Sequence, residues 1–203
     1  MDKESAIVYV VDDDEAVRDS LKLLLESVNL ACQTFASATE FLEKHDPNQH
    51  SCLVADIRMP GMSGLDLHEE LNRRSSTIPV LFITGHGDVP MAVDAMKSGA
   101  LDFIQKPFRD QDLLDRIHQA LESDEACRED NRELSETRSR IARLTARETE
   151  VMHRVVQGQA NKVIALDLGV SQRTVEIHRA RVMQKMGARS LAELVRMVGK
   201  LLD

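Results

Sequence analysis

Five polar side chains, far apart in the chain, follow short apolar or β-branched runs. Asp12 and Asp13 follow residues 7–11, Asp56 follows 52–55, Thr84 follows 80–83, and Lys106 comes after 102–104, just before Pro107. Three carboxylates brought together repel, and their pKa values rise unless a cation joins them. An all-oxygen site with open positions suits Mg²⁺, with Mn²⁺ as the alternative; Mg²⁺ keeps part of its water shell and accepts phosphoryl oxygens. A carboxylate in such a site, Asp56, could attack a phosphoryl donor and form an acyl phosphate. The metal and the Lys106 ammonium would neutralise charge on the transferring group, and the Thr84 hydroxyl could hydrogen-bond it on arrival. Taken singly, each residue has an ordinary explanation, and Asp14 reads as a helix cap. All five in order after successive strands are harder to explain that way.

Those strands, at 7–11, 31–35, 52–55, 80–83 and 102–104, alternate with amphipathic stretches at 16–28, 38–44, 65–73, 90–97 and 111–121. Ser37 and Glu40 have capping-box spacing and place one helix start. Five βα units in about 120 residues predict an α/β fold, a doubly wound, flavodoxin-like five-stranded parallel sheet of order 2-1-3-4-5. Ligands of such sheets bind outside the carboxyl ends of the strands where the order reverses, between strands 1 and 3. The three aspartates fall there.

Charge divides the chain. Of 26 basic and 34 acidic residues, 11 and 6 lie in 141–203, leaving an acidic first part with 15 against 28. Two domains with different partners are expected, and only the basic one suits a polyanion. The absence of a long apolar run and of a signal-peptide pattern leads us to expect a cytoplasmic protein without membrane association. Cys32, Cys52 and Cys127 have no C-x-x-C spacing and read as free thiols. We place the first domain at 1–122, a helical linker at 123–140 and the second domain at 141–203. The linker is polar but has no Gly or Pro and is rich in Glu and Arg.

The second domain is all-α in pattern. Thr145/Glu148 and Ser190/Glu193 form capping boxes, and two helices at 161–168 and 172–186 flank Gly169-Val170-Ser171, a tight turn with an αL stop and an N-cap. A helix-turn-helix places its second helix in the major groove. Along 172–186, Val175, Val182 and Met186 share the core side, while Arg173, Ile177, Ala180 and Gln184 face away. Ile177 suits thymine methyl groups. Arg179, Arg181 and Lys185 suit phosphates, which position without specifying. Thr174 and His178 complete the expected contact set. Glu176 either accepts from a cytosine amino group or ties the helix to its neighbours.

The segments V-V-D-D-D-E, A-D-I-R-M-P-G-M-S-G, I-T-G-H-G-D and D-F-I-Q-K-P-F resemble the signature segments of two-component receiver domains over residues 6–121. The resemblance implies Asp56 as phospho-acceptor and Asp12 and Asp13 as the acidic metal pair. It further implies Lys106 as the phosphate-contacting lysine, the Arg58 carbonyl as a metal ligand, and a cis peptide before Pro107. Thr84 and Phe103 match the family's switch pair. The stretch L-T-A-R-E-T-E-V-M through V-M-Q-K-M resembles the LuxR-type helix-turn-helix over about 139–202, and the whole chain is similar to the FixJ/NarL response regulators, closest to the FixJ branch. The implied partners are a sensor histidine kinase, double-stranded promoter DNA, RNA polymerase and, on phosphorylation, a second copy of the chain. Such a protein is a regulator, not an enzyme. Two alternatives stay open. An aspartyl-phosphate phosphohydrolase of haloacid-dehalogenase type would need a second Asp two residues after the nucleophile, where Arg58 stands. A DNA-binding regulator that works without phosphorylation would leave the acidic set unused.

Overall fold

The computed structural model describes residues 6–85 and 89–201; His86, in the I-T-G-H-G-D segment, lies outside the described residues. Five strands, β1 Ile7–Val11, β2 Ala31–Phe35, β3 Ser51–Asp56, β4 Val80–Thr84 and β5 Asp102–Gln105, form a parallel sheet in the order β2-β1-β3-β4-β5. Helices α1 Glu15–Ser27, α2 Ala38–Lys44, α3 Gly64–Arg73, α4 Val89–Lys97 and α5 Asp110–Ile141 connect and continue it. The expected order is therefore observed.

Three strands run further than the apolar pattern suggests. Asp56 pairs with Ile83 and Thr84 with Gln105, because ladder hydrogen bonds use the backbone and are indifferent to a polar side chain. The period of two along each strand sorts the core onto both faces. Tyr9, Phe35, Phe41, Leu53, Leu67 and Phe82 pack on one face, and Val8, Leu25, Val54, Leu81, Leu113 and Ile117 on the other. Phe82 is fully buried, a burial worth about 1.5–3 kcal/mol relative to exposure.

Caps fix where the helices begin. Asp14 accepts from the Ala16 N–H at 2.9 Å at the start of α1, the ordinary role expected of it. Ser63 and Asp66 form a full capping box on α3, with an aspartate at the third position where the motif usually carries Glu or Gln. Gly64, the first residue of α3, lies so close to the Asp56 carbonyl that any Cβ there would overlap it.

The chain divides into two compact units between Arg128 and Glu129. Within the first, α5 is fastened to the loop before β3. Buried Asp124 accepts from the Ser51 N–H at 3.0 Å and from Arg128 Nε at 2.6 Å. Arg128 also donates to the carbonyls of Pro47, Asn48 and Gln49 at 3.2, 2.6 and 2.6 Å. Cys32, Cys52 and Cys127 form no disulfide among the described residues, and burial pushes Cys32 up to about 11 and Cys52 higher still.

In the second unit, α6 Ala146–Val156, α7 Asn161–Leu168, α8 Gln172–Met186 and α9 Leu191–Gly199 enclose a core that includes Val151, Ile164, Val175, Val182, Met186 and Leu194. Gly169 closes α7 in the left-handed region (φ 64°) and the Ser171 hydroxyl accepts from the Thr174 N–H, so the turn chemistry works as its residues suggested. Among the described residues, no helix is long and apolar enough to cross a membrane.

Candidate functional site

The carboxyl ends of β1, β3 and β5 bring Asp12, Asp56 and Lys106 together. The Lys106 ammonium donates to Asp56 Oδ1 at 3.0 Å and to Asp12 Oδ2 at 3.4 Å, across 50 and 94 residues of sequence. The other Asp56 oxygen accepts from the Arg58 N–H at 2.7 Å. Asp12 is 3% exposed; loss of solvent pushes its carboxyl above the ordinary value, against the opposing pull of the Asp14 N–H and Lys106. Burial alone would lower the Lys106 ammonium, but its bond to Asp56 and the charges of Asp12 and Asp56 reverse that and hold it above its usual range.

Asp13 is exposed beside Asp12. Among the described residues the side chains do not stand as a ready cluster of three or more His, Cys, Asp or Glu around one metal position. By donor chemistry the set still fits a hard divalent cation: Asp12, Asp13 and Asp56 offer only oxygens, and the Asp12 carboxylate is desolvated. Arg18, which the sequence did not single out, donates from Nη1 to the Asp12 backbone carbonyl at 2.7 Å and so braces the loop that carries the acidic pair.

Thr84 is fully buried, and its hydroxyl donates to the Gly85 carbonyl at 3.1 Å rather than to Asp56. Phe103 pairs with Phe82 in the ladder and is half-buried against the core. The Lys106–Pro107 peptide is cis, as the resemblance implied.

On α8 the expected contacts separate. Arg173, Arg181 and Gln184 are exposed, the two arginines make no ion pair among the described residues, and Ile177 keeps 47% of its surface exposed. Other members of the set are engaged inside the unit. Thr174 shares its hydroxyl with Ser171 at 2.8 Å in the N-cap. Arg179 donates to Asn161 Oδ1 at 2.8 Å. The Lys185 ammonium is bound to Glu148 Oε2 at 2.6 Å and to the Arg143 carbonyl at 3.2 Å. His178 is half-buried and its Nδ1 lacks a partner among the described residues. An exposed-looking position on a helical wheel does not reveal such partners, because they come from α6, α7, the connection before α6 and the turn before α8.

A parallel 2-1-3-4-5 sheet with a lysine bridging two aspartates, followed by a helix-turn-helix, defines a response regulator. Residues 8–118 match the response regulator receiver domain, and 142–198 match the luxR family of bacterial regulatory proteins. The chain is 52% identical over 196 residues to the transcriptional regulatory protein FixJ of Azorhizobium caulinodans, covering 96% of this chain and 92% of that protein. It is 51% identical over 192 residues to nodulation protein W of Bradyrhizobium diazoefficiens, covering 95% and 85%. Among solved structures it resembles the response regulator StyR, with a TM-score of 0.86, 46% identity and coverage of 97% and 99%. It also resembles full-length FixJ from B. japonicum, with a TM-score of 0.60, 42% identity and coverage of 96% of each chain. The chain belongs to the two-component response regulators of the FixJ/NarL family, and its function is transcription regulation.

Proposed function

We propose that a sensor histidine kinase transfers a phosphoryl group to Asp56 and that this switches the chain into its DNA-binding state. The observation that carries the proposal is Lys106, held above its ordinary pKa between Asp56 and Asp12. A carboxylate oxygen of Asp56 attacks phosphorus, the donor departs with the electron pair of the broken bond, and the Lys106 ammonium balances charge on the phosphoryl oxygens. Asp12, Asp13, Asp56 and the Arg58 carbonyl are the oxygen donors for Mg²⁺ or Mn²⁺, whose chemistry when bound is to neutralise the transferring group.

Thr84 gives up its weak bond to the Gly85 carbonyl for a phosphoryl oxygen, and Phe103 turns further inward. Pairing of two copies then places two α8 helices on neighbouring half-sites of promoter DNA, where RNA polymerase is engaged. Arg173, Ile177 and Gln184 face the base edges and Arg181 a phosphate, with Thr174, His178 and Arg179 at the margin of the contact. Residues 1–122 act as the regulatory domain, 123–140 as the connecting helix and 141–203 as the DNA-binding domain, in the cytoplasm.

Intact mass after incubation with acetyl phosphate and Mg²⁺ tests the first step. One added phosphoryl group is expected on wild type and none on Asp56→Asn. An adduct that persists on Asp56→Asn would move the acceptor elsewhere.

A further inference from the structure

We propose that Lys185 is a positioning residue for DNA reading and not a phosphate contact: with Glu148 and Arg140 it locks the far end of α8 to the rest of its unit. The proposal deepens the reading of α8 as the DNA-contacting helix and rests on it.

Lys185 sits in the last turn of α8, where a cation is often assigned to the DNA backbone. Two of the three donors of its ammonium are already used, one on Glu148 and one on the Arg143 carbonyl. Glu148 is 2% exposed and is tied a second time, accepting from the Thr145 N–H at 2.9 Å as part of the α6 capping box. A Lys185 that swung out to a phosphate would leave that buried carboxylate unpaired, which is strongly unfavourable.

One residue further on, Arg140 Nη1 donates to the Met186 carbonyl at 2.9 Å, satisfying an end of α8 that has no helical partner. The chain then leaves α8 through Gly187 in the left-handed region (φ 69°), where a Cβ would stand 3.2 Å from the same guanidinium. The opposite end of the helix differs: Arg173 is exposed and unpaired among the described residues. Val175, Val182 and Met186 supply adhesion without direction, so hydrogen-bonded charges supply the orientation. Such a pair, with its carboxylate buried and its ammonium at the surface, adds little net stability compared with apolar substitutes but can select one geometry.

The test is a double-mutant cycle in the full, phosphorylated chain with Glu148→Gln, Lys185→Met and the double variant. The DNA is a site selected by wild type from a random pool, and affinity is titrated against salt. Glutamine keeps the cap on α6, and the double variant leaves no unpaired charge buried, so it guards against loss of fold in either single variant. Circular dichroism sets a temperature at which every variant tested is folded. The expected result is that all three lose affinity for the selected site by a similar factor, on the order of tenfold, equivalent to about 1.4 kcal/mol, with the salt slope of wild type. A phosphate contact predicts otherwise: Glu148→Gln would bind as well as wild type, and Lys185→Met would lose about one unit of salt slope. That result, or unchanged affinity in all three variants, overturns the proposal. If wild type itself selects no sequence, the reading of α8 falls first, and this inference with it.

Discussion

The acidic pocket and the reading helix are assembled in opposite ways. The pocket draws Asp12, Asp56, Thr84 and Lys106 from the carboxyl ends of four strands, and Lys106 bridges two of them, Asp12 and Asp56. The reading surface comes from one 15-residue helix on which Arg173 and Arg181 are exposed and make no ion pair among the described residues, while Arg179 and Lys185 beside them are held by neighbours. Chemistry at phosphorus needs preorganised charge inside the protein. Reading DNA needs free groups on a backbone whose direction is set by others.

The contrast can be broken most sharply at Lys106. Lys106→Met should slow phosphoryl uptake from acetyl phosphate by on the order of 10²-fold, measured as the rate of mass gain; an unchanged rate would mean that the ammonium only pairs charges at rest. Next comes the backbone that carries Asp56. Gly64→Ala forces a methyl group against the Asp56 carbonyl and should cost about 1–3 kcal/mol of stability by overpacking, read from urea unfolding of the first unit, with slower phosphorylation alongside.

In the second unit, Lys185 first and then the Thr145 N–H hold the Glu148 carboxyl at about 2, below its ordinary 4.5. A carboxylate with a depressed folded pKa stabilises fully above its unfolded value and loses that contribution as pH falls towards the folded one. The second unit should therefore lose thermal stability between about pH 4.5 and pH 2, and Glu148→Gln should flatten that limb. A limb just as steep in the variant would assign the acid sensitivity to other groups. The smallest effect belongs to Ile177. Being 47% exposed, its replacement by Ser should change stability by less than about 0.5 kcal/mol, yet blunt base preference at one position of the selected site. A variant with unaltered preference would remove Ile177 from the reading face.

The pocket was legible in sequence because each member follows a strand, and strands declare themselves by apolar period and spacing. The apolar pattern locates Asp56 and Thr84 at the carboxyl ends of β3 and β4, although both residues belong to the ladders themselves. The surface of α8 was only half legible. Its buried face, Val175, Val182 and Met186, follows from helical period alone. The fate of Arg179 and Lys185 depends on Asn161 and Glu148, which lie 18 and 37 residues away, and no periodicity encodes that pairing. Arg18 escaped notice for a similar reason: it grips a backbone carbonyl, and a carbonyl leaves no mark in a sequence.

The Arg128 guanidinium also bears on how freely the chain can change over evolution. Surface connections between a helix and a strand are where insertions, deletions and proteolytic nicks are usually tolerated. The connection before β3 has surrendered three successive carbonyls to one side chain anchored on Asp124. An added residue there would shift at least one carbonyl out of the grip and leave part of a guanidinium unsatisfied. Length variation should therefore be selected against at residues 47–49, making an exposed loop one of the less editable stretches of the domain.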